Sequence, residues 1–227
     1  AGLAAFVRVE RSSPAPLLDI ELFRSNAVFA FSNLAALINY AATFAVGFLL
    51  SLYLQYVRGL PPQHAGLVMM SQPVMQAVFS PLAGRLSDRI EPRLLASGGM
   101  AFTAAGLTWL SFVGAGTSLI QVGAALFVLG VGFGLFSSPN TNAIMGSVEP
   151  RQYGLASAMV GTMRMLGQML SMGAATLVIA AVVGRHDIGA EHQEAFLRGS
   201  RGLLAGFAVL STLGIFASLA RGNVHGR

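Results

Sequence analysis

Between Arg24 and Arg58 the chain runs thirty-three residues without a formal charge, and between Arg93 and Glu149 it runs fifty-five. Soluble domains carry charge on roughly 25% of their residues, spread over the surface. Here only 23 of 227 residues are charged: fourteen Arg, nine Asp or Glu, and no Lys. Hydrophobic residues make up 54% and the mean hydropathy is +0.67. A bilayer crossing needs about 20 apolar residues, so the first gap holds one long span and the second holds two. The chain therefore reads as an integral membrane protein.

Apolar runs between charge and turn signals give six spans, at about 27–56, 65–84, 94–114, 119–146, 154–183 and 202–220. Each run is continuous rather than alternating, and each exceeds the roughly 10 residues of a barrel strand, so helices are expected. The fold class expected is an all-α membrane protein, a six-helix transmembrane domain over 25–220. Residues 1–24 read as the end of a preceding helix and an interfacial lead-in, and 221–227 as a cytoplasmic tail. Turn chemistry marks the linkers at Arg58-Gly-Leu-Pro-Pro62, at Gly114-Ala-Gly-Thr-Ser118 and at Glu149-Pro-Arg-Gln152, with a charged loop over 84–93 and the longest loop over 185–201.

Cytoplasmic loops retain Arg and Lys during insertion. With the N-terminus inside, nine arginines fall in inside segments (8, 11, 24, 85, 89, 93, 151, 221 and 227) and four in outside loops (58, 185, 198 and 201). Both termini are thus expected in the cytoplasm, with the chain in the cell membrane. The net charge of +5 does not point to nucleic acid, because the arginines are dispersed and no basic run is interleaved with aromatics. The absence of cysteine removes disulfides and thiol chemistry. The first residues, Ala1-Gly-Leu-Ala-Ala-Phe-Val7, read as the tail of an apolar segment in a longer protein.

The charged loop reads Gly84-Arg-Leu-Ser-Asp88-Arg89-Ile-Glu-Pro-Arg93. It resembles the loop signature of the major facilitator superfamily, G-x-L-a-D-r-x-G-r-[RK], which lies between the second and third helices of each six-helix half. Gly84, Leu86, Ser87, Asp88, Arg89 and Arg93 match, whereas Glu91 and Pro92 stand where the pattern has Gly and a basic residue. The lead-in Pro16-Leu-Leu-Asp-Ile-Glu-Leu-Phe-Arg24, the turn Pro61-Pro-Gln-His-Ala-Gly66, the segment Gly134-Leu-Phe-Ser-Ser-Pro139-Asn and Gly154-Leu-Ala-Ser-Ala158 are similar to the C-terminal half of its fourteen-helix drug:proton antiporters. The resemblance implies proton-coupled efflux of small amphipathic or cationic compounds by alternating access, with protons, a small-molecule substrate, the lipid bilayer and an absent N-terminal half as partners. It also implies that Gly84, Arg85, Asp88, Arg89 and Arg93 form a conformational latch that docks on that other half. The plain alternative for this loop is a solvated turn, since exposed charge pairs are worth little.

Arg164 is the one charge inside an expected span, and an ionisable group at that depth usually faces a cavity or the bundle interior. Ser157, Gly161, Arg164, Gln168 and Ser171 fall on one stripe at helical spacing. Two readings stand: Arg164 lines a central cavity, or it binds carbonyls and closes one end. Asn33 with Tyr40, and Gln72 with Gln76, share helix faces on the first two spans, and Asn140 lies near the end of the fourth. These are the cavity candidates, against the alternative of ordinary interhelical hydrogen bonds. Met69, Met70, Met75, Met163 and Met165 offer either a pliable lining or mere packing. His186, Asp187, Glu191 and His192 fit no metal-ligand spacing.

No nucleophile–base set, phosphate-binding loop or carboxylate pair occurs, so neither enzymatic activity nor a cofactor is expected. Proton coupling needs an acid that titrates within the membrane, and all nine acids fall in expected loops. Any coupling carboxylate is thus expected in the other half. The rival readings are a permease subunit driven by an ATPase and a non-transporting scaffold or truncated remnant. The first predicts a cytoplasmic coupling helix, and the second leaves the polar stripes without a cavity.

Overall fold

Long apolar runs become helices here because only internal hydrogen bonding satisfies the backbone in lipid. The computed structural model describes residues 20–184 and 192–222, and all its regular elements among these residues are helical. A short α1 (Ile20–Ser25) leads into α2 (Ala27–Leu52), which ends in one π turn, Tyr53–Val57. Then come α3 (Pro62–Met69), α4 (Ser71–Ser87), α5 (Pro92–Ser111), α6 (Leu119–Gly146), α7 (Tyr153–Val182) and α8 (Gln193–Ala220).

The starts of the helices are set by local chemistry. Asn26 caps α2: its side chain accepts from the Phe29 N–H at 3.0 Å and donates to the Ser147 carbonyl at 2.6 Å, which ties the start of α2 to the end of α6. Ser118 and Gln121 form a reciprocal capping box on α6. Pro62 and Pro92 occupy first-turn positions of α3 and α5, where the missing N–H would have no partner anyway. Gly59, at φ 65°, turns the chain between the π turn and α3 in a conformation that favours glycine.

Five segments are long and apolar enough to cross a membrane: Ala27–Val57, Pro92–Ser111, Leu119–Gly146, Pro150–Val182 and Gln193–Ala220. The expected second span, 65–84, is instead divided into α3 and α4 at Met70. Pro73 explains the division, since it has no N–H to give the carbonyl of Met69. Met70 keeps helical angles (φ −62°, ψ −18°), so the chain direction carries through the break. The last helix begins at Gln193 rather than near 202, which places Glu194, Arg198 and Arg201 in helix instead of loop. Glu194 sits in the exposed first turn, so not every acid is in a loop.

At the centre, α6 packs against α4, α5 and α2, while α2 also carries α7 and α8 on its flanks. Without a hydrophobic force between helices in lipid, close approach depends on small residues. A Cβ on Gly99 would lie 2.6 Å from the Gly132 carbonyl, and one on Gly132 would lie 2.7 Å from the Gly99 carbonyl. The α5 and α6 backbones thus touch. Gly167 does the same for α7, where a Cβ would meet the Leu37 carbonyl at 2.7 Å. One apolar cluster around Leu49, Leu54, Leu107, Leu126 and Phe196 fills the end of the bundle near 113–117; a smaller one around Phe29, Ile144 and Met159 fills the end near 84–93. By contrast α7 is peripheral: only 17% of its apolar window is buried, against 56% for α2.

Candidate functional site

The loop end of the bundle has a packed inner side and an open outer side. Gly84 lets α4 lie on α6, where a Cβ would approach the Ser138 hydroxyl to 2.7 Å. Ser87 is buried: its hydroxyl donates to the Gly84 carbonyl at 2.7 Å and accepts from Asn142 Nδ2 at 2.8 Å. These contacts fasten the end of α4 to α6. Asp88 then closes the helix through its backbone N–H, and Arg89 and Ile90 N–H groups return to the Leu86 carbonyl at 3.0 and 2.9 Å. The side chains of Arg85, Asp88 and Arg89 are exposed. Asp88 forms no ion pair with either arginine, nor with any other of the described residues. The carboxylate that could have gripped two neighbouring guanidiniums is held out to its surroundings instead. Arg93, the second residue of α5, is half-buried.

A residue that the sequence reading placed in a solvated tail lies behind this loop. Arg221 is 1% exposed. Its Nη1 donates to Asn140 Oδ1 at 2.9 Å and to Ser32 Oγ at 3.2 Å, while Asn140 Nδ2 donates to the Ser32 carbonyl at 3.1 Å. Nε and Nη2 of Arg221 have no hydrogen-bond partner among the described residues. One step further in, the Ser97 hydroxyl donates to that of Ser218 at 2.9 Å and joins α5 to α8. Arg164 is therefore not the only charge within the bundle's reach. The signal for Arg221 was present in Ser211, Gly214, Ser218 and Arg221, spaced three, four and three on the buried face of α8.

The cavity candidates are distributed over two environments. Asn33 and Asn140 are buried among the helices; Asn33 donates to the Phe29 carbonyl of its own helix at 2.9 Å, and Asn140 belongs to the Arg221 cluster. Gln72, Gln76 and Gln168 are half-buried, as is Tyr40, whose ring meets Phe133 edge to face at 5.4 Å. Arg164 is exposed, without a partner among the described residues. Its stripe does not share one setting, because Ser171 is buried and accepts the Ala45 N–H at 3.0 Å while Arg164 and Ser157 point away. The open surface of α7 continues through Met165, Met169, Leu170 and Leu177.

The opposite end is a closed structure. Arg58 Nη1 donates to the Ala115 carbonyl at 2.5 Å, Tyr53 to that of Gly114 at 2.8 Å and Arg201 Nε to that of Val113 at 2.7 Å. Three side chains, one from the π turn, one just after it and one from α8, thereby satisfy the turn after α5. Among the described residues no group of His, Asp and Glu could hold a metal ion; His186, Asp187 and Glu191 lie outside the described residues, as do Arg8, Arg11, Arg185, Arg227 and the lead-in before residue 20.

Residues 32–226 match the sequence profile of the Major Facilitator Superfamily. The chain belongs to this superfamily. It is 36% identical over 174 residues to the uncharacterized transporter YebQ of Escherichia coli, covering 77% of this chain and 37% of YebQ. It is 32% identical over 149 residues to the riboflavin transporter RibZ of Clostridioides difficile, covering 66% of this chain and 32% of RibZ. It is 32% identical over 181 residues to the multidrug resistance protein Stp of Mycobacterium tuberculosis, covering 79% of this chain and 33% of Stp. The chain thus spans about a third of the length of these curated relatives. For a superfamily member, the all-helical bundle and the loop from Gly84 to Arg93 are the expected parts, and the buried Arg221 cluster behind that loop is what the structure adds.

Proposed function

We propose that this chain is the C-terminal six-helix half of a secondary transporter that exports small amphipathic or cationic compounds by alternating access, coupled to protons. The observation that carries the reading is the pair of open surfaces on α4 and α7: half-buried Gln72 and Gln76 on the first, and half-buried Gln168 with exposed Arg164, Met165 and Met169 on the second. Polar groups at membrane depth sit poorly against lipid, whereas they suit a wet cavity between two halves. Flexible thioethers suit a site that accepts varied ligands. The similarity to Stp, named as a multidrug resistance protein, points the same way. Both ends of the chain and the loop from Gly84 to Arg93 face the cytoplasm in this reading, and Asp88 is offered to the other half as a latch.

A second substrate class is favoured by the similarity to RibZ, named as a riboflavin transporter. A planar flavin would stack near Tyr40 and Phe133. The test reconstitutes the full-length transporter in proteoliposomes and follows a cationic dye with and without a pH gradient. Gradient-accelerated dye movement is expected, and competition by riboflavin would favour the second class. Dye movement indifferent to the gradient would remove proton coupling; dye retention in every condition would remove drug export and return the scaffold or ATPase-driven readings.

A further inference from the structure

A groove of about 370 Å³ runs between α5 and α8. Short side chains line it, among them Thr108, Ala205 and Ala208, beside Phe112, Val209 and Leu213, which are 76%, 60% and 57% exposed. Open apolar walls of this kind mark a place where something apolar binds. α4 packs chiefly on α6 and α7 chiefly on α2, so the groove and the polar faces offered to the other half belong to different helix pairs. The groove also has a charged end. Arg198, Arg201, Ala205, Ala208 and Thr212 follow at spacings of three, four, three and four along α8, which puts both arginines on the helix face that lines the groove. Arg201 Nε donates to the Val113 carbonyl just past α5, and its terminal nitrogens bond no other described residue. Arg198 is exposed. Among the described residues this end carries Arg58, Arg198 and Arg201 against one acid, Glu194, and none of the four is in an ion pair. From Arg198 to Leu213 the helix rises about 22 Å at 1.5 Å per residue, which is half of a bilayer roughly 40–45 Å thick with its headgroups.

We propose that this groove binds an anionic phospholipid of the leaflet at this end of the bundle. One acyl chain lies along Ala205, Ala208 and Leu213, and the headgroup phosphate meets Arg198 and Arg201. A guanidinium donates to phosphate oxygens in pairs, and basic pockets beside transmembrane helices hold headgroups for that reason. Because Arg201 also holds the Val113 carbonyl, a bound headgroup steadies the turn that closes the bundle. The site requires that α5 and α8 face lipid and does not depend on what is transported.

Trp109, the one tryptophan of this sequence, follows Thr108 on α5 and is 44% exposed, so its fluorescence reports on the groove. The full-length transporter is reconstituted in phosphatidylcholine vesicles containing a small fraction of phosphatidylglycerol with brominated acyl chains, which quench nearby indoles. The difference between the parent and the Trp109→Phe protein isolates the Trp109 signal. Each arginine near a membrane surface is worth about fivefold in affinity for an anionic lipid, so half-quenching by brominated phosphatidylglycerol is expected at about a 25-fold lower mole fraction than by brominated phosphatidylcholine. Arg198→Gln lowers that preference about fivefold. Ala205→Phe, which keeps both arginines and fills the groove, abolishes it. Both substitutions fall at exposed positions, so neither disturbs the packed interior. Equal quenching by the two lipids, or a preference that survives either substitution, would overturn the site. Quenching by neither lipid would show the groove covered by protein and overturn it as well, with the particle mass telling a second copy from the other half. Dye export is scored separately, and its absence in the parent would sink the transport reading while the quenching still decides the lipid site.

Discussion

A guanidinium presents five N–H donors in a fixed plane, so a buried arginine fixes whatever surrounds it. Asn140 is the better of the two side-chain partners that Arg221 finds, at 2.9 Å against 3.2 Å for Ser32. Asn140→Ala is therefore expected to cost about 2 kcal/mol, the value of a hydrogen bond to a charged group whose loss leaves buried donors bare. Asn33 is equally buried, yet among the described residues its amide bonds only the Phe29 carbonyl of its own helix and its Oδ1 has no partner. Asn33→Ala removes an unsatisfied oxygen and improves helix propensity, so its cost stays within about 1 kcal/mol. Apparent melting temperatures of the two variants in the full-length protein check the order, and Asn33→Ala falling below Asn140→Ala would contradict it. Sequence spacing marked both asparagines as polar groups on apolar helices. It did not separate them, because the partner that distinguishes them arrives from the far end of the chain. Arg221 was overlooked for a related reason: counting charges as loop markers works where a side chain reaches water, and fails where it turns back into the bundle.

At the scale of the elements, hydropathy located the helices because lipid leaves no other way to satisfy a backbone. It could not foresee two boundaries. The Met69–Ser71 break depends on an N–H missing at Pro73, and the early start of α8 takes in Glu194, Arg198 and Arg201, charges that hydropathy reads as loop although Arg201 reaches the Val113 carbonyl from within the helix. What glycine does between helices was only partly legible, since a glycine allowing contact and one facing open space look alike in sequence. Gly132 and Gly206 illustrate the difference. A methyl on Gly132 would meet backbone atoms of Gly99 and Thr103 at 2.7 Å, whereas one on Gly206 would meet nothing within 4 Å. Gly132→Ala must push α5 off α6 and is expected to destabilise by about 1–3 kcal/mol. Gly206→Ala gains helix propensity and is expected to be neutral or stabilising by up to about 1 kcal/mol. Thermal denaturation of both variants in one detergent checks the pair; a Gly132→Ala protein as stable as its parent would show that the helices can separate freely.

For the molecule as a whole, the loop from Gly84 to Arg93 divides its labour between inside and outside. Ser87 is committed inward, to Asn142 and the Gly84 carbonyl, while Asp88 next to it has no ion pair among the described residues. If Asp88 is a latch for another half, the two neighbours respond differently to neutral substitution. Asp88→Asn is expected to leave the melting temperature of the full-length transporter nearly unchanged, since an exposed charge without a partner contributes little to its own bundle. It should shift maleimide access to a Leu94→Cys reporter, and slow dye efflux, by about tenfold, the factor produced by ~1.4 kcal/mol in the balance between conformations. Ser87→Ala reverses the pattern: it strands the Asn142 amide and lowers the melting temperature, with a smaller effect on the conformational balance. A common stability loss in both variants would make Asp88 an ordinary structural cap. Stability held by both, with access and efflux also unchanged in Asp88→Asn, would leave the loop as a solvated turn. Only opposite responses from adjacent residues fit a loop anchored on one side and working on the other.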